Sequence, residues 1–294
     1  MIIKRMTGEK VFDFFNITLM VLIALIMLYP FYYVIMSSLS NSNFLIGDKG
    51  LMLTPKGFTL ASYKMVLNNP NILSGYSTTI IVVVIGTTLN VMMTALGAFV
   101  LTRKDLAVRR LLTYMIIFTM YFSGGLIPTY LVVYKYLRLG NTLWALMLPG
   151  LISTYNLIIM RTNFMQIPIS LEESAKINGA NEFVILFKIF IPLSLPIMAV
   201  MVIFYGVGHW NSWFSAIIYI RDRSKYPLQL ILREILLLND VQGMMSEGAG
   251  TDAYNIGEGI KYATIIVATL PILCVYPFVQ KYFVKGMMIG AVKG

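Results

Sequence analysis

Charge is scarce in this chain of 294 residues. Charged side chains make up 12% of it and hydrophobic ones 58%, whereas an ordinary soluble domain carries about a quarter charged residues. Few soluble folds look like this. Cysteine is almost absent: Cys274 stands alone inside an apolar run, so no internal disulfide can form, and the thiol reads as a small buried hydrophobe. His209 is the only histidine, which leaves no histidine pair to hold a metal. No Gly-Lys dipeptide occurs anywhere, so the phosphate-binding loop G-x-x-x-x-G-K-[ST] is missing, and the chain is expected not to hydrolyse ATP itself. Asp, Glu, Lys and Arg are nearly absent from the long apolar runs. This weighs against a secondary carrier, which needs ion-coupling groups at membrane depth. A membrane-embedded hydrolase is weaker still, for want of an acid-base or metal constellation. The net charge of +10 does not imply nucleic acid, because its bearing on orientation outweighs its sum.

What is abundant is apolar length. A hydrocarbon core about 30 Å thick takes roughly 20 helical residues at 1.5 Å each. Six stretches are read as spans: about 14–36, 76–101, 111–136, 142–160, 193–220 and 262–283. They predict an all-α, polytopic membrane protein with a single transmembrane domain over 1–294. The first run is longer than a signal-peptide core and lacks a small-x-small cleavage site, so it is expected to be a retained anchor. Residues 39–74 form a turn-rich polar stretch expected in water, with a short amphipathic helix over 58–67. Gly86 and Gly97 would let neighbouring helices approach closely. Gly124, Gly125 and Pro128 interrupt the third span, and Pro149 and Gly150 the fourth. Such breaks are tolerated where protein or a watery path covers the freed backbone groups.

Lysine and arginine set the orientation. With six spans, thirteen of the 23 basic residues fall in short segments on the side that holds both termini, including Arg103, Lys104, Arg109 and Arg110. That side is expected to be cytoplasmic, which puts the segment 221–260 outside and the tail 284–294 inside.

The polar segment 171–192 lies on the cytoplasmic side between the fourth and fifth spans. Pro168 ends the preceding segment, Ser170 is placed to cap a helix, and Glu173 three residues later completes a capping box. That helix should stop at Asn178 and Gly179, since glycine reaches the left-handed geometry of a helix end. A second helix should start at Asn181 and lay Phe183, Leu186, Phe187 and Phe190 against the membrane domain.

The register Glu173, Ser174, Ala175, then Gly179, then Ile189, Ile191 and Pro192 resembles the E-A-A-x3-G-x9-I-x-L-P motif of ABC importer permeases. Ser174 replaces the second-place alanine and Ile191 the leucine, swaps that keep size or hydrophobicity. The resemblance implies a type I importer fold in which this segment is the coupling helix that fits a cleft in an ATP-hydrolysing subunit. Glu173, Ser174, Ala175, Gly179, Ile189 and Pro192 would then carry the coupling, with Glu173 facing a basic residue of the partner.

The last residues, IGAVKG, are similar to the tail of MalG-like membrane subunits, which implies that Gly290, Lys293 and Gly294 reach the ATPase dimer. The segment 221–260 stands where that subfamily places a loop facing a solute-binding protein. The family also implies a second homologous permease, two ATPase subunits that bind ATP and magnesium, an extracytoplasmic binding protein and a bacterial cytoplasmic membrane with its lipid. The likeness runs over nearly the whole chain and is nearest to oligosaccharide permeases. A peptide or polyamine as cargo stays open, because the hairpin reads the partner and not the cargo. Toward the outer end of the fifth span, Trp210 and Asn211 are candidates for the substrate pathway: rings stack on sugar faces, and the amide offers both donor and acceptor. An aromatic belt at the membrane surface is the plainer account of the tryptophan, and a satisfied interfacial group that of His209.

Overall fold

The computed structural model describes residues 7–45, 50–237, 259–275 and 277. Among these residues the chain is helical and holds no strand, and a helix satisfies its backbone groups within its own segment, as a bilayer requires. It divides into two compact units, 1–69 with 234–269 and 70–233 with 270–294.

In the first unit, one helix runs over Thr7–Ser38 with Pro30 inside it. None of its most apolar window is buried by the chain itself, which leaves these side chains to lipid or to another subunit. The polar stretch that follows is folded back and not loose. Tyr29 accepts the Met52 N–H at 3.1 Å, and Tyr32 donates to the Leu53 carbonyl at 2.5 Å. The Ser38 and Tyr63 hydroxyls meet at 2.7 Å. The expected short helix forms over Ala61–Asn68. Gly259 fits beside it because a Cβ there would lie 2.5 Å from the hydroxyls of Ser42 and Ser62.

The second unit is built on the helix Pro70–Thr102, which starts six residues before the expected span. Proline at the first helical position loses nothing by lacking an N–H and brings a φ suited to the helix, so the turn signals around Pro70 mark a start and not a loop. This helix packs against Leu195–Trp210 and Thr154–Phe164. Ala95, Ala98, Phe99, Leu157, Met160 and Met201 form the core between them. Gly75 admits the backbone of Leu228 and the side chain of Ile231, where a Cβ would come within 3.2 Å and 2.5 Å.

The breaks expected in the third and fourth runs are present, and the fifth run is bent as well. Arg109–Tyr121 and Leu126–Tyr136 meet at 115°, with Gly125 at φ +81° in the gap. The fourth run becomes a single turn, Trp144–Met147, and the helix Thr154–Phe164. The fifth bends by 87° between Glu182–Leu193 and Leu195–Trp210, at Ser194, which lies between Pro192 and Pro196. Among the described residues two helices, Gly8–Ser38 and Pro70–Thr102, are long and apolar enough to cross a membrane, and each bent pair raises that number by one, to four. Gly259–Val275 is apolar but shorter, and it exposes Cys274, which is therefore not buried within the chain.

Candidate functional site

The polar segment folds as the expected hairpin, with a different first turn. The helix begins at Ile169 with Pro168 as its N-cap, and no side chain caps it. Ser170 therefore lies inside the first turn, and no capping box forms. The reason is local: Pro168 sits at ψ 129°, extended, and the chain turns helical at the next residue, two positions too early for the serine to serve. Glu173 is left exposed, with no capping bond, and Ser174 is exposed beside it.

The far end matches the expectation in detail. Gly179 has φ +79°. Its N–H bonds the Lys176 carbonyl at 3.0 Å, and the Ala180 N–H bonds that of Ala175 at 3.0 Å, the paired closure of a Schellman end. Asn178 adds an amide bond to the Ser174 carbonyl at 2.8 Å. Nothing lies within 4 Å of where a Gly179 Cβ would stand, so the glycine is needed for its backbone angle alone. Gly179→Ala is expected to cost about 1–2 kcal/mol, the usual penalty of the left-handed region for a residue with a Cβ, and Gly179→Asn less; thermal unfolding of the purified protein in detergent measures both.

Asn181 caps the second helix by accepting the Val184 N–H at 2.9 Å. Of the four apolar residues expected to face the membrane domain, Leu186 and Phe190 are buried, whereas Phe183 and Phe187 are exposed. The buried face is instead Ile185, Leu186 and Phe190, with Ile189 partly buried beside them. A π-helical segment over Leu186–Phe190 sets this phase. It also widens the turn ahead of Pro192, which has no N–H to donate to the carbonyl four residues behind it and whose ring would clash there. Ala175 and Ile189 pack on the core, so these two motif residues seat the hairpin, and Pro192 is exposed at the bend.

Behind the exposed face of Glu173 lies an ion cluster that the sequence reading missed. Arg103, just past the end of Pro70–Thr102, pairs with Glu172 and reaches Glu182 at 3.5 Å. Its guanidinium lies 3.9 Å from the ring centre of Phe99 and 5.5 Å from that of Phe190. Lys176 closes the ring at 2.9 Å from Glu172 and 3.2 Å from Glu182. Hydrogen bonds to Glu172 and then Glu182 raise the Lys176 pKa above its ordinary 10.5. The sign is that of a cation gaining partners, so its stabilisation is complete at neutral pH and is lost as pH climbs from the ordinary 10.5 through that raised value. Arg161 donates to the Leu101 carbonyl at 3.1 Å and caps the same helix end.

A second polar cluster lies within the apolar part. Asn90, fully buried, donates to the Gly150 and Leu151 carbonyls at 2.8 and 2.9 Å. Its oxygen meets His209 Nε2 at 2.7 Å. Thr94 meets the Tyr205 hydroxyl at 2.7 Å, and that hydroxyl accepts the Ser153 N–H at 3.0 Å. Protein groups thus cover the backbone freed by the Pro149–Gly150 break. His209 is satisfied, as expected, but inside the bundle: its Nε2 lies 2.6 Å from where a Gly86 Cβ would stand. Trp210 packs edge-on to Tyr76 at 6.4 Å and lines an apolar cavity of about 1020 Å³ with Thr87, Val91, Val202 and Gly206. Asn211 is exposed at the helix end. Gly290, Lys293 and Gly294 of the tail, and residues 238–258 of the outer segment, lie outside the described residues.

Residues 93–289 match the model of the binding-protein-dependent transport system inner membrane component family. Protein LplC of Bacillus subtilis (strain 168) is 44% identical over 285 residues, 97% of this chain and 96% of that protein. The polygalacturonan/rhamnogalacturonan transport system permease protein YtcP of the same organism is 43% identical over 288 residues, covering 97% and 99%. Among solved structures, a chain of a bacterial ABC transporter involved in the import of the acidic polysaccharide alginate superposes with a TM-score of 0.86 at 28% identity, covering 95% of this chain and 99% of that one. The hairpin's register, the helical membrane fold and these matches agree, and the chain belongs to the family of inner membrane components of binding-protein-dependent transport systems.

Proposed function

We propose that this chain is one of two permease subunits that together carry a carbohydrate across the bacterial cytoplasmic membrane, driven by two partner subunits that bind ATP and magnesium. The observation that carries this reading is the hairpin: Glu173 and Ser174 are exposed on a helix that is fixed from behind to the membrane domain. A helix fastened on one side and open on the other is what a docking element requires. The cargoes named for YtcP and for the alginate importer support a carbohydrate, and acidic oligosaccharides are the first to try.

In this reading the chain crosses the membrane six times with both termini in the cytoplasm. The outer segment 221–260 receives the binding protein, and Gly290, Lys293 and Gly294 reach the ATPases. Asn211, exposed, offers its amide to sugar hydroxyls. Trp210 shares the pathway through the cavity that it lines.

The test is reconstitution with the partner permease, both ATPase subunits and the binding protein in lipid vesicles, followed by ATP hydrolysis with a panel of oligosaccharides, peptides and polyamines. Stimulation by one oligosaccharide class is expected. Stimulation by a non-sugar alone would keep the architecture and overturn the cargo. Transport that needs neither ATP nor a binding protein would mark a secondary carrier and overturn the reading.

A further inference from the structure

We infer that Arg103 is the positioning residue that passes the movement of the docking helix into the membrane, an inference that rests on the coupling role proposed above for the hairpin. The two neighbouring carboxylates divide the work. Glu173 points outward and is exposed, whereas Glu172 turns inward to Arg103 with 18% of its side chain accessible. Arg103 has 12% of its side chain accessible and is gripped from several directions: Glu172 on the first hairpin helix, Glu182 and Phe190 on the second, and Phe99 on its own helix. A planar guanidinium serves such a site because it pairs along its edge while stacking on its faces, which a lysine ammonium cannot do.

The geometry ties both arms of the hairpin to one end of the helix Pro70–Thr102. Asn90 lies thirteen residues up that helix, about 20 Å at 1.5 Å per residue. There it binds the backbone of the broken fourth run at Gly150 and Leu151 and the side chain of His209. One rigid element therefore carries an ionic joint to the hairpin at its cytoplasmic end and a hydrogen-bonded joint to the broken segment in its middle. Such a packed, contiguous element can convey a displacement, and energetic coupling is the evidence that it does. Among the described residues, the hairpin's other contacts with this helix are apolar, as between Phe190 and Phe99, and such contacts resist compression but slide. The ion cluster resists sliding.

The experiment uses the complete complex in vesicles and reads sugar transported per ATP hydrolysed, together with retention of the ATPase subunits. In Arg103→Gln the ATPase subunits stay bound, because Glu173 is untouched, and transport per ATP falls about tenfold, within the 5–150-fold span of ordinary allosteric couplings. Glu172→Gln does the same, and the double variant is no worse than either single one, since both remove one joint. An Arg103→Gln complex with the wild-type ratio, or single losses that multiply in the double variant, overturns the inference.

Misfolding is controlled within one molecule. Arg103→Cys and Glu172→Cys, in a chain carrying Cys274→Ser, are joined by a short thiol-cleavable cross-linker. The joined complex should recover the ratio, and cleavage should lower it again about tenfold. Equal ratios before and after cleavage overturn the inference. Failure of the underlying importer reading looks different: the wild-type complex then shows no hydrolysis that depends on the binding protein, and the inference falls with it.

Discussion

Asn90→Ala is expected to destabilise the permease by about 3 kcal/mol, from three part-buried groups, the Gly150 and Leu151 carbonyls and the His209 ring, each left without its partner at the low end of about 1–3 kcal/mol, with allowance for the partners that a chain unfolded in lipid can still find. Thermal unfolding of the purified protein in detergent reads it. The argument rests on how completely this amide is used. Its nitrogen donates to the Gly150 and Leu151 carbonyls, which fixes the flip of the group and turns the oxygen toward His209. His209 must then carry its proton on Nε2, because two acceptors cannot share the contact. Truncation strands both carbonyls at a break where no helical bond replaces them. His209→Leu removes a single bond and should cost about 1 kcal/mol. A loss of less than about 1 kcal/mol for Asn90→Ala would mean that water or a shifted backbone already serves the break.

The chain's membrane character and its hairpin were legible because they depend on local signals. Gly179 and Asn181 each act within a few residues of themselves, and the Schellman end and the N-cap appear where they were expected. The capping box failed for an equally local reason, a helix that starts at Ile169. Tertiary pairing was not legible. Arg103 reads in sequence as one of four basic residues in a loop, and nothing in its neighbourhood announces Glu172, 69 positions away. Asn90 carried a faint signal, a primary amide inside a long apolar run. Such a residue calls for a partner, but the identity of the partner depends on which helix packs alongside. The phase of Phe187 was lost because the π-helical turn over Leu186–Phe190 departs from a regular 3.6-residue period, whereas Phe183 lies ahead of that turn, in Glu182–Ile185, where Ile185 takes the buried face instead.

Glu173→Lys is expected to abolish retention of the ATPase subunits, and Glu173→Gln to weaken it by about 2–5 kcal/mol, the usual cost of truncating one partner of a buried interfacial charge pair. At about 1.4 kcal/mol per decade, that is roughly 30-fold to several thousand-fold in affinity. Co-purification of the ATPase subunits with the solubilised permease shows the first, and a binding titration the second. The unbound permease separates this from a folding defect. Had Glu173 completed a capping box, Glu173→Ala would cost about 1 kcal/mol of stability. With Pro168 as the N-cap and the carboxylate exposed, the melting of the isolated permease should hardly move, as for most surface substitutions, within about 0.5 kcal/mol. Glu172→Gln, one residue away, should do the reverse: it weakens the permease through Arg103 and Lys176 and leaves ATPase retention intact. Adjacent carboxylates with opposite outcomes cannot be explained by a general weakening of the helix. If both variants lose stability and retention together, the division between an outward docking face and an inward ionic joint is wrong.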